Sequence, residues 1–151
     1  MNDLSYHNRM DELEAELVKS APAVDCPVTH LFTPGLYTRQ IYMPAGTLVT
    51  SRIHNTEHPF IISKGVAMVR VNENEWERLE APHTGITKPG TRRILYIEQD
   101  CIWTTFHPTD IQPEDDSDES VRKAVELVAG QILEKHENDL LGGEVKNNIL
   151  S

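Results

Sequence analysis

Two histidines separated by three residues, His54 and His58, are the side chains of this sequence best suited to chemistry. They lie in the stretch AGTLVTSRIHNTEHPFIISKGVAMV, in which the acid Glu57 stands between them and an apolar run follows. Neutral imidazoles coordinate Zn, Fe, Ni or Mn, and such a site needs a third protein ligand. The spacing indicates a metal centre, a catalytic pair, or two histidines that only form structural hydrogen bonds.

Two residues are candidates for a third ligand. His107, in WTTFHPT, shares one face of a predicted strand with Cys101, Trp103 and Thr105, but the other face is equally apolar. Alternation therefore does not decide whether His107 points inward. Glu57 is the alternative, although in a regular strand it points away from its neighbour His58.

The middle of the chain, from about 27 to 108, has the residue pattern of short strands. Segments rich in Val, Ile, Thr, Tyr and Phe alternate with turn signals such as TPG, MPAG, SKG and KPG. Strands at this spacing predict an antiparallel sandwich or barrel. The expected strands are 28–32, 36–43, 47–54, 59–63, 66–71, 76–80, 84–88, 92–98 and 101–107.

Helices are predicted at both ends of the strand region. The first, 8–20, carries an apolar stripe, and the second, 119–137, follows an acidic linker at 109–118. The second stripe packs either on the chain's own barrel or on another subunit, and the two stripes together favour a homodimer or higher oligomer. The stripes consist of Met10, Leu13, Leu17 and Val18, and of Val121, Val125, Val128 and Ile132.

Charge and composition exclude several classes of function. The formal net charge is −10, with acid concentrated near both ends, so binding to nucleic acid is disfavoured. No apolar run approaches the roughly 18 residues that cross a bilayer, and the polar start is unlike a signal peptide. Cys26 and Cys101 form no CxxC pair, which favours a reducing cytoplasm.

The strand-rich middle resembles the cupin superfamily, the small jelly-roll barrels. Gly46 is followed after five residues by Arg52-Ile53-His54, three residues later by His58, and six residues after that by Gly65. These spacings match the first cupin motif and both of its glycines. The ligand types differ, because Arg52 stands at the first histidine position and His58 at the glutamate position.

The second cupin motif is degenerate. In TKPGTRRILY, Gly90 is followed after two residues by Arg93, which occupies the place of the motif's histidine. The resemblance extends over 28–108, and the layout is similar to small cupins encoded in phage and prophage genomes, which would place it in a bacterial host cytoplasm. It implies four parts: a helix and linker at 1–27, a barrel at 28–108, a linker at 109–118, and a helix and tail at 119–151.

The resemblance implies a mainly β jelly-roll barrel with a short N-terminal and a longer C-terminal helix. It also implies that Leu48, Thr50, Arg52 and His54 point into the barrel, and that Arg93, not Arg92, does so. A guanidinium inside a barrel needs an anionic partner. That partner is either internal or a ligand carboxylate or phosphate, with Tyr96 as one wall of the pocket. The internal candidates are Glu57, Glu80 and Glu98.

Three functions follow from these alternatives. The first is a binding module that holds a small anionic molecule, a divalent metal, or both, through Arg52, His54, His58 and Arg93. The second is a metal-dependent cupin enzyme of the isomerase, dioxygenase or lyase type, with His54, His58 and His107 as ligands. The third is a structural, oligomeric phage protein. The sequence leaves turnover undecided.

Overall fold

The computed structural model describes residues 3–20, 24–70 and 75–133, and in these ranges seven strands lie between two helices. In chain order the elements are α1 (Asp3–Ser20), β1 (Val28–Thr33), β2 (Leu36–Met43), β3 (Leu48–Thr50), β4 (His58–Arg70), β5 (Glu77–Glu80), β6 (His83–Thr87), β7 (Ile94–Pro108) and α2 (Asp118–Ile132).

The two longest strands, β4 and β7, organise the sheet. The strand order is β1-β2-β7-β4-β5, with β3 paired to β7 and β6 paired to β4, and every pairing is antiparallel. One half of β7 pairs with β2 and the other half with β3, so the sheet has to curl around these long strands. The predicted fold class, an antiparallel jelly roll with a helix at each end, is confirmed. The expectation of a shorter N-terminal and a longer C-terminal helix was wrong, since α1 has 18 residues and α2 has 15.

The expectation of separate strands around two polar stretches was wrong. The predicted strands 59–63 and 66–71 are the single strand β4, and 92–98 and 101–107 are the single strand β7. The register of β4 on β7 shifts repeatedly between Ile62 and Ala67. A bulge of this kind bends a strand without ending it, which explains why polar residues that look like a turn lie within the strand.

Gly65 occupies this irregular stretch of β4. Its φ is 88°, in the left-handed region that residues with a Cβ avoid. A Cβ at this position would collide with the backbone carbonyl of Asp100 on β7. Gly46 has a similar φ of 87°, but the space around it is open. Glycine is therefore required at position 65 by both conformation and close strand approach.

We expect Gly65→Ala to destabilise the fold more than Gly46→Ala. The control variant suffers only the left-handed backbone, which costs about 1–2 kcal/mol. At position 65 the β7 backbone must also move, so the loss exceeds that value. Urea unfolding measures both losses, and equal values for the two variants would contradict the close approach of β4 to β7.

The barrel interior changes character along its length. On β2 the inward side chains run from Tyr37 and Arg39 to the apolar Ile41 and Met43. On β7 the inward run is reversed, from apolar Cys101 and Trp103 to Thr105 and His107, and on β4 His58 precedes Phe60 and Ile62. Antiparallel pairing brings the polar ends of all three strands to the same end of the barrel.

Helix α2 covers this polar end. Ser117 caps the helix, since its side chain accepts a hydrogen bond from the Ser120 N–H. The buried side chains Val128 and Ile132 pack with Tyr37 of the barrel. The apolar stripe of α2 thus lies on its own barrel, which was one of the two predicted alternatives. The prediction that this helix continues to 137 was wrong, because Leu133 has an extended backbone and α2 ends at Ile132. Residues 134–137 lie outside the described part of the chain.

Helix α1 packs on another part of the barrel. Tyr6 and Met10 are buried, and the Tyr6 hydroxyl donates to the backbone carbonyls of Arg70 and Arg92. The side chains of Leu17 and Val18, predicted in the same stripe, lie outside the described side chains. No helix in the described ranges is long and apolar enough to cross a membrane.

Candidate functional site

Three histidine rings meet at the polar end of the barrel. The ring centroids of His54 and His58 are 5.1 Å apart, and those of His58 and His107 are 4.3 Å apart. Their exposed fractions are 0%, 1% and 0%. The three residues predicted as a possible ligand set are therefore close together, and the face of β7 that carries His107 is the interior one.

Strand pairing explains how two of these rings meet. Phe60 on β4 lies opposite Thr105 on β7, so His58 and His107 occupy the next inward row. His107 donates to or accepts from the Thr105 hydroxyl through Nε2, at 2.8 Å. Strand pairing therefore shows that His107 points inward, which the alternation of residues along one strand did not decide.

His54 reaches the cluster by an irregular route. Strand β3 is only three residues long, and its inward residue is Val49, while Leu48 is 39% exposed. The prediction that Leu48, Thr50, Arg52 and His54 share the inward face of one regular strand was therefore wrong. The chain leaves the sheet after Thr50 and returns His54 to the interior, where its backbone N–H donates to the Thr91 carbonyl at 3.1 Å.

The end of α2 closes the barrel over the histidines. The Asn55 N–H donates to the Ile132 carbonyl at 2.7 Å, and Leu133 forms an isolated β-bridge with His54. The Tyr37 ring, which contacts α2, also stacks 5.8 Å from the His107 ring. Solvent is thereby excluded from all three imidazoles.

Arg93 is the buried cation nearest the histidines on the β4 side. Its guanidinium lies 5.1 Å above the Phe60 ring centroid and 5.8 Å from that of Trp103, and these two rings stack at 4.7 Å. It donates to the Thr87 hydroxyl at 3.0 Å, and its backbone N–H donates to the Ser51 hydroxyl. The side chain is 5% exposed, in agreement with the prediction that Arg93 points inward.

Arg92 points elsewhere, as alternation requires, but it is equally buried. Its guanidinium donates to the Asp11 carboxylate of α1 at 2.6 Å and to the Ser51 carbonyl. This ion pair attaches α1 to the barrel wall. The two consecutive arginines thus have separate roles, one on each side of the wall.

Arg39 is a site residue that the sequence analysis missed. It lies on β2 between the inward residues Tyr37 and Ile41, and it is 6% exposed. Its charge helps to lower the pKa values of His30 and His107. The inward alternation of apolar residues on β2 was the available signal, but a charged residue in such a row is normally assigned to the surface.

The imidazoles of His58 and His107 are held in their neutral form. Burial lowers the pKa of His58 to about 4, with help from the charge of Arg93, although a hydrogen bond that the ring donates to the Thr56 backbone acts in the opposite direction. Burial also lowers the pKa of His107 to about 2, and His58, His54 and Arg39 act in the same direction. Burial lowers the pKa of Arg93 to about 10. At neutral pH the site therefore contains uncharged imidazoles beside positive guanidinium groups.

Other predicted site residues are more exposed than the three histidines. Glu57 is exposed and forms an ion pair with Lys88 at 2.8 Å. Tyr96 is 43% exposed, between the buried neighbours Leu95 and Ile97, so it is outside the pocket. Arg52 is half-buried in the irregular segment after β3.

The predicted internal counter-ions also have other partners. Glu57 pairs with Lys88, and both Glu80 and Glu98 pair with Arg78 on the surface, each at 3.2 Å.

Several buried polar atoms of the barrel interior have no hydrogen-bond partner within the described part of the chain. The indole N–H of Trp103 and Nδ1 of His107 are two of the buried atoms of this kind. An unsatisfied buried polar atom costs about 1–3 kcal/mol. Each of these atoms would gain a hydrogen bond from a polar group placed beside it.

A metal ion does not fit this arrangement. Across residues 3–20, 24–70 and 75–133, no three His, Cys, Asp or Glu side chains stand where they could hold one together. The positive charges of Arg93 and Arg39, which disfavour protonation of His58 and His107, disfavour a divalent cation in the same way. The metal site of His54, His58 and His107, with Glu57 as alternative, stays a prediction.

Comparison with known proteins gives similarity in structure only. No family model and no curated protein matches the sequence. A cupin-2 domain protein from Shewanella frigidimarina matches with a TM-score of 0.45 and 11% identity, over 64% of this chain and 92% of that chain. A cupin superfamily protein from Desulfitobacterium hafniense matches with a TM-score of 0.49 and 9% identity, over 60% and 84%.

An RmlC-like cupin with a double-stranded β-helix fold from Methanocaldococcus jannaschii matches with a TM-score of 0.49 and 13% identity, over 60% of this chain and 86% of that chain. These similarities agree with the predicted resemblance to cupins, while the fold assignment rests on the strand order itself. They carry no argument about ligand, metal or activity.

The lowered histidine pKa values predict a loss of stability in mild acid. In the unfolded chain these imidazoles take up protons near pH 6.5, whereas in the folded chain they resist until about pH 4 or below. Their contribution is therefore complete above about pH 6.5 and falls as the pH drops, by up to about 1.4 kcal/mol per pH unit for each histidine.

Urea unfolding between about pH 7 and pH 5 tests this, since most carboxylates titrate below that window. His107→Gln should flatten the dependence, and His83→Gln, a change outside the cluster, should leave it as in the wild type. A wild-type stability that stays constant across the window would contradict the neutral, buried cluster.

Proposed function

We propose that the polar end of the barrel binds a small anionic molecule, a carboxylate or a phosphate. The observation that carries the proposal is the Arg93 guanidinium, 5% exposed, on the stacked Phe60 and Trp103 rings and beside neutral imidazoles. The function is that of a binding module, in which the barrel holds its ligand without a covalent step.

Electrostatics favours an anion over a neutral ligand. Burying a guanidinium away from water is unfavourable, and the lowered pKa of Arg93 reflects that cost. A bound carboxylate or phosphate accepts two hydrogen bonds from a guanidinium and stabilises its charge. The interaction is strong because the surroundings are shielded from solvent.

The neighbouring groups supply further hydrogen bonds. A neutral imidazole donates through one nitrogen and accepts through the other, so His58 and His107 can contact either an anion or its hydroxyl groups. The indole N–H of Trp103, which is buried without a partner in the described ranges, is a donor only. Arg39 adds a second positive charge on the other side of His107.

Access to this pocket involves α2. The histidines are fully buried, and the contacts that cover them are the Asn55–Ile132 hydrogen bond and the His54–Leu133 bridge. Ligand entry therefore requires the last turn of α2 to move away from the barrel. Two backbone contacts and a small apolar cluster are few enough to open without unfolding the sheet.

Arg93→Gln should weaken anion binding by at least about tenfold, because it removes the buried charge and keeps most of the side chain's volume. Isothermal titration with inorganic phosphate and with a small dicarboxylate provides the measurement. Arg78→Gln is the matched control, because Arg78 is a surface arginine whose partners are Glu80 and Glu98.

Two results would overturn the proposal. One is the absence of binding of either probe to the wild-type protein, even at millimolar concentration. The other is an equal effect of Arg93→Gln and Arg78→Gln, which would indicate a general surface charge effect.

A divalent metal site is the alternative, and one observation favours it: the clustered imidazoles are neutral, the form in which they coordinate Zn, Fe, Ni or Mn. The buried guanidinium groups argue against it. We expect elemental analysis of the purified protein, after incubation with divalent metals and dialysis, to give less than one metal ion per chain. If the wild type instead binds one metal ion per chain and His54→Ala abolishes that binding, the anion proposal is wrong and the site is a metal centre of the enzyme type.

A further inference from the structure

We propose that the outer face of the sheet β1-β2-β7-β4-β6 is the surface on which a second copy of this chain docks. The outer face consists of the side chains that alternate with the inward ones on these five strands. It lies on the opposite side of the sheet from the histidine pocket, and the inference is independent of the proposed anion site.

Strand register arranges this face in two rows. In the first row, Leu31 lies opposite Thr38, and Thr38 lies opposite Phe106. Phe106 is one step beyond the pair Phe60 and Thr105, which brings it beside Pro59, and Pro59 lies opposite Ile86. The first row thus crosses all five strands with four apolar side chains and one threonine.

The second row crosses the same strands one step further along. The register places these side chains opposite one another in turn: Thr29, Gln40, Thr104, Ile61 and Thr84. It contains no charged side chain, and neither does the first row. The ends of the first row are well exposed, with Leu31 at 55% and Ile86 at 56%.

The lack of charge on this face is unusual for this chain. A quarter of its residues are charged, and its net charge is −10. Charged side chains begin only at the margins of the face, with Lys64 and Asp100 at one end and Lys88 at the other. Five strands at about 4.8 Å give an uncharged surface about 24 Å wide. Exposed surfaces of this type mark interaction sites.

The net charge of the chain also favours a second copy as the molecule that docks on this face. Two copies with a charge of −10 repel each other wherever their acidic surfaces meet, so a contact between copies is favoured where charge is absent. A face that is apolar in one row and rich in threonine in the next can pair with itself about a two-fold axis. The apolar stripes of the helices already pack within the chain, since Val128 and Ile132 of α2 and Met10 of α1 are buried.

The test combines light scattering with charge substitution on this face. The wild type should have twice the 17.1 kDa mass of one chain. Leu31→Glu and Ile86→Glu should each weaken dimerisation at least 100-fold, since every dimer then buries two added charges worth about tenfold each. Leu127→Glu is the matched control, because Leu127 is an exposed leucine of α2 at 62% and should leave the dimer intact.

The proposal is overturned if the wild type is a monomer at about 100 μM, a concentration at which even a weak dimer assembles. It is also overturned if both face variants remain dimeric, or if Leu127→Glu dissociates the dimer as well. Circular dichroism of each variant confirms that the side-chain changes leave the sheet folded.

Discussion

The antiparallel ladder between β4 and β7 is the interaction on which the rest of this structure depends. It pairs the two longest strands, and β2, β3, β5 and β6 each attach to one of them. The ladder also fixes both faces of the sheet. Inward it sets His58 beside His107 and Phe60 beside Trp103, and outward it sets Ile61 opposite Thr104. A shift of one residue would exchange the pocket with the outer surface.

The interior of this barrel is unusual in its polarity. One end is filled by an ordinary apolar cluster that includes Ile41, Met43 and Leu95. The other end buries three imidazoles and two guanidinium groups, those of Arg39 and Arg93. Burial keeps His58 and His107 neutral and leaves the positive charge on the arginines, so the pocket is positive inside an acidic protein. This contrast between interior and exterior charge supports anion binding as the function.

Sequence patterns were sufficient for the fold and for part of the site. Alternation and turn signals identified the antiparallel barrel, and motif spacing identified His54 and His58 as neighbours. Local patterns were insufficient where a residue's environment depends on distant strands. Gly65 looked like a turn because the bulge it permits is defined by the β7 backbone. Arg39 looked like a surface residue, and Tyr96 like a pocket wall, because alternation gives two faces without saying which is inside.

The helix α2 shows a second limit of the sequence. Its apolar stripe was visible, but its site on the barrel was not, since that depends on how Tyr37 and Ile132 meet from distant parts of the chain. The bridge between Leu133 and His54 follows from the same packing. The pocket is therefore completed by a segment whose role appears only in the folded chain.

Nitrogen NMR of the histidine side chains tests the central claim, a positive pocket of neutral imidazoles that receives an anion, most directly. At pH 7 the ring nitrogens of His58 and His107 should show the shifts of neutral tautomers, in keeping with their lowered pKa values. Addition of phosphate or a small dicarboxylate should move these signals, while those of His83, outside the cluster, stay in place. Imidazolium shifts at pH 7, or His58 and His107 signals unchanged at saturating anion, would contradict the account.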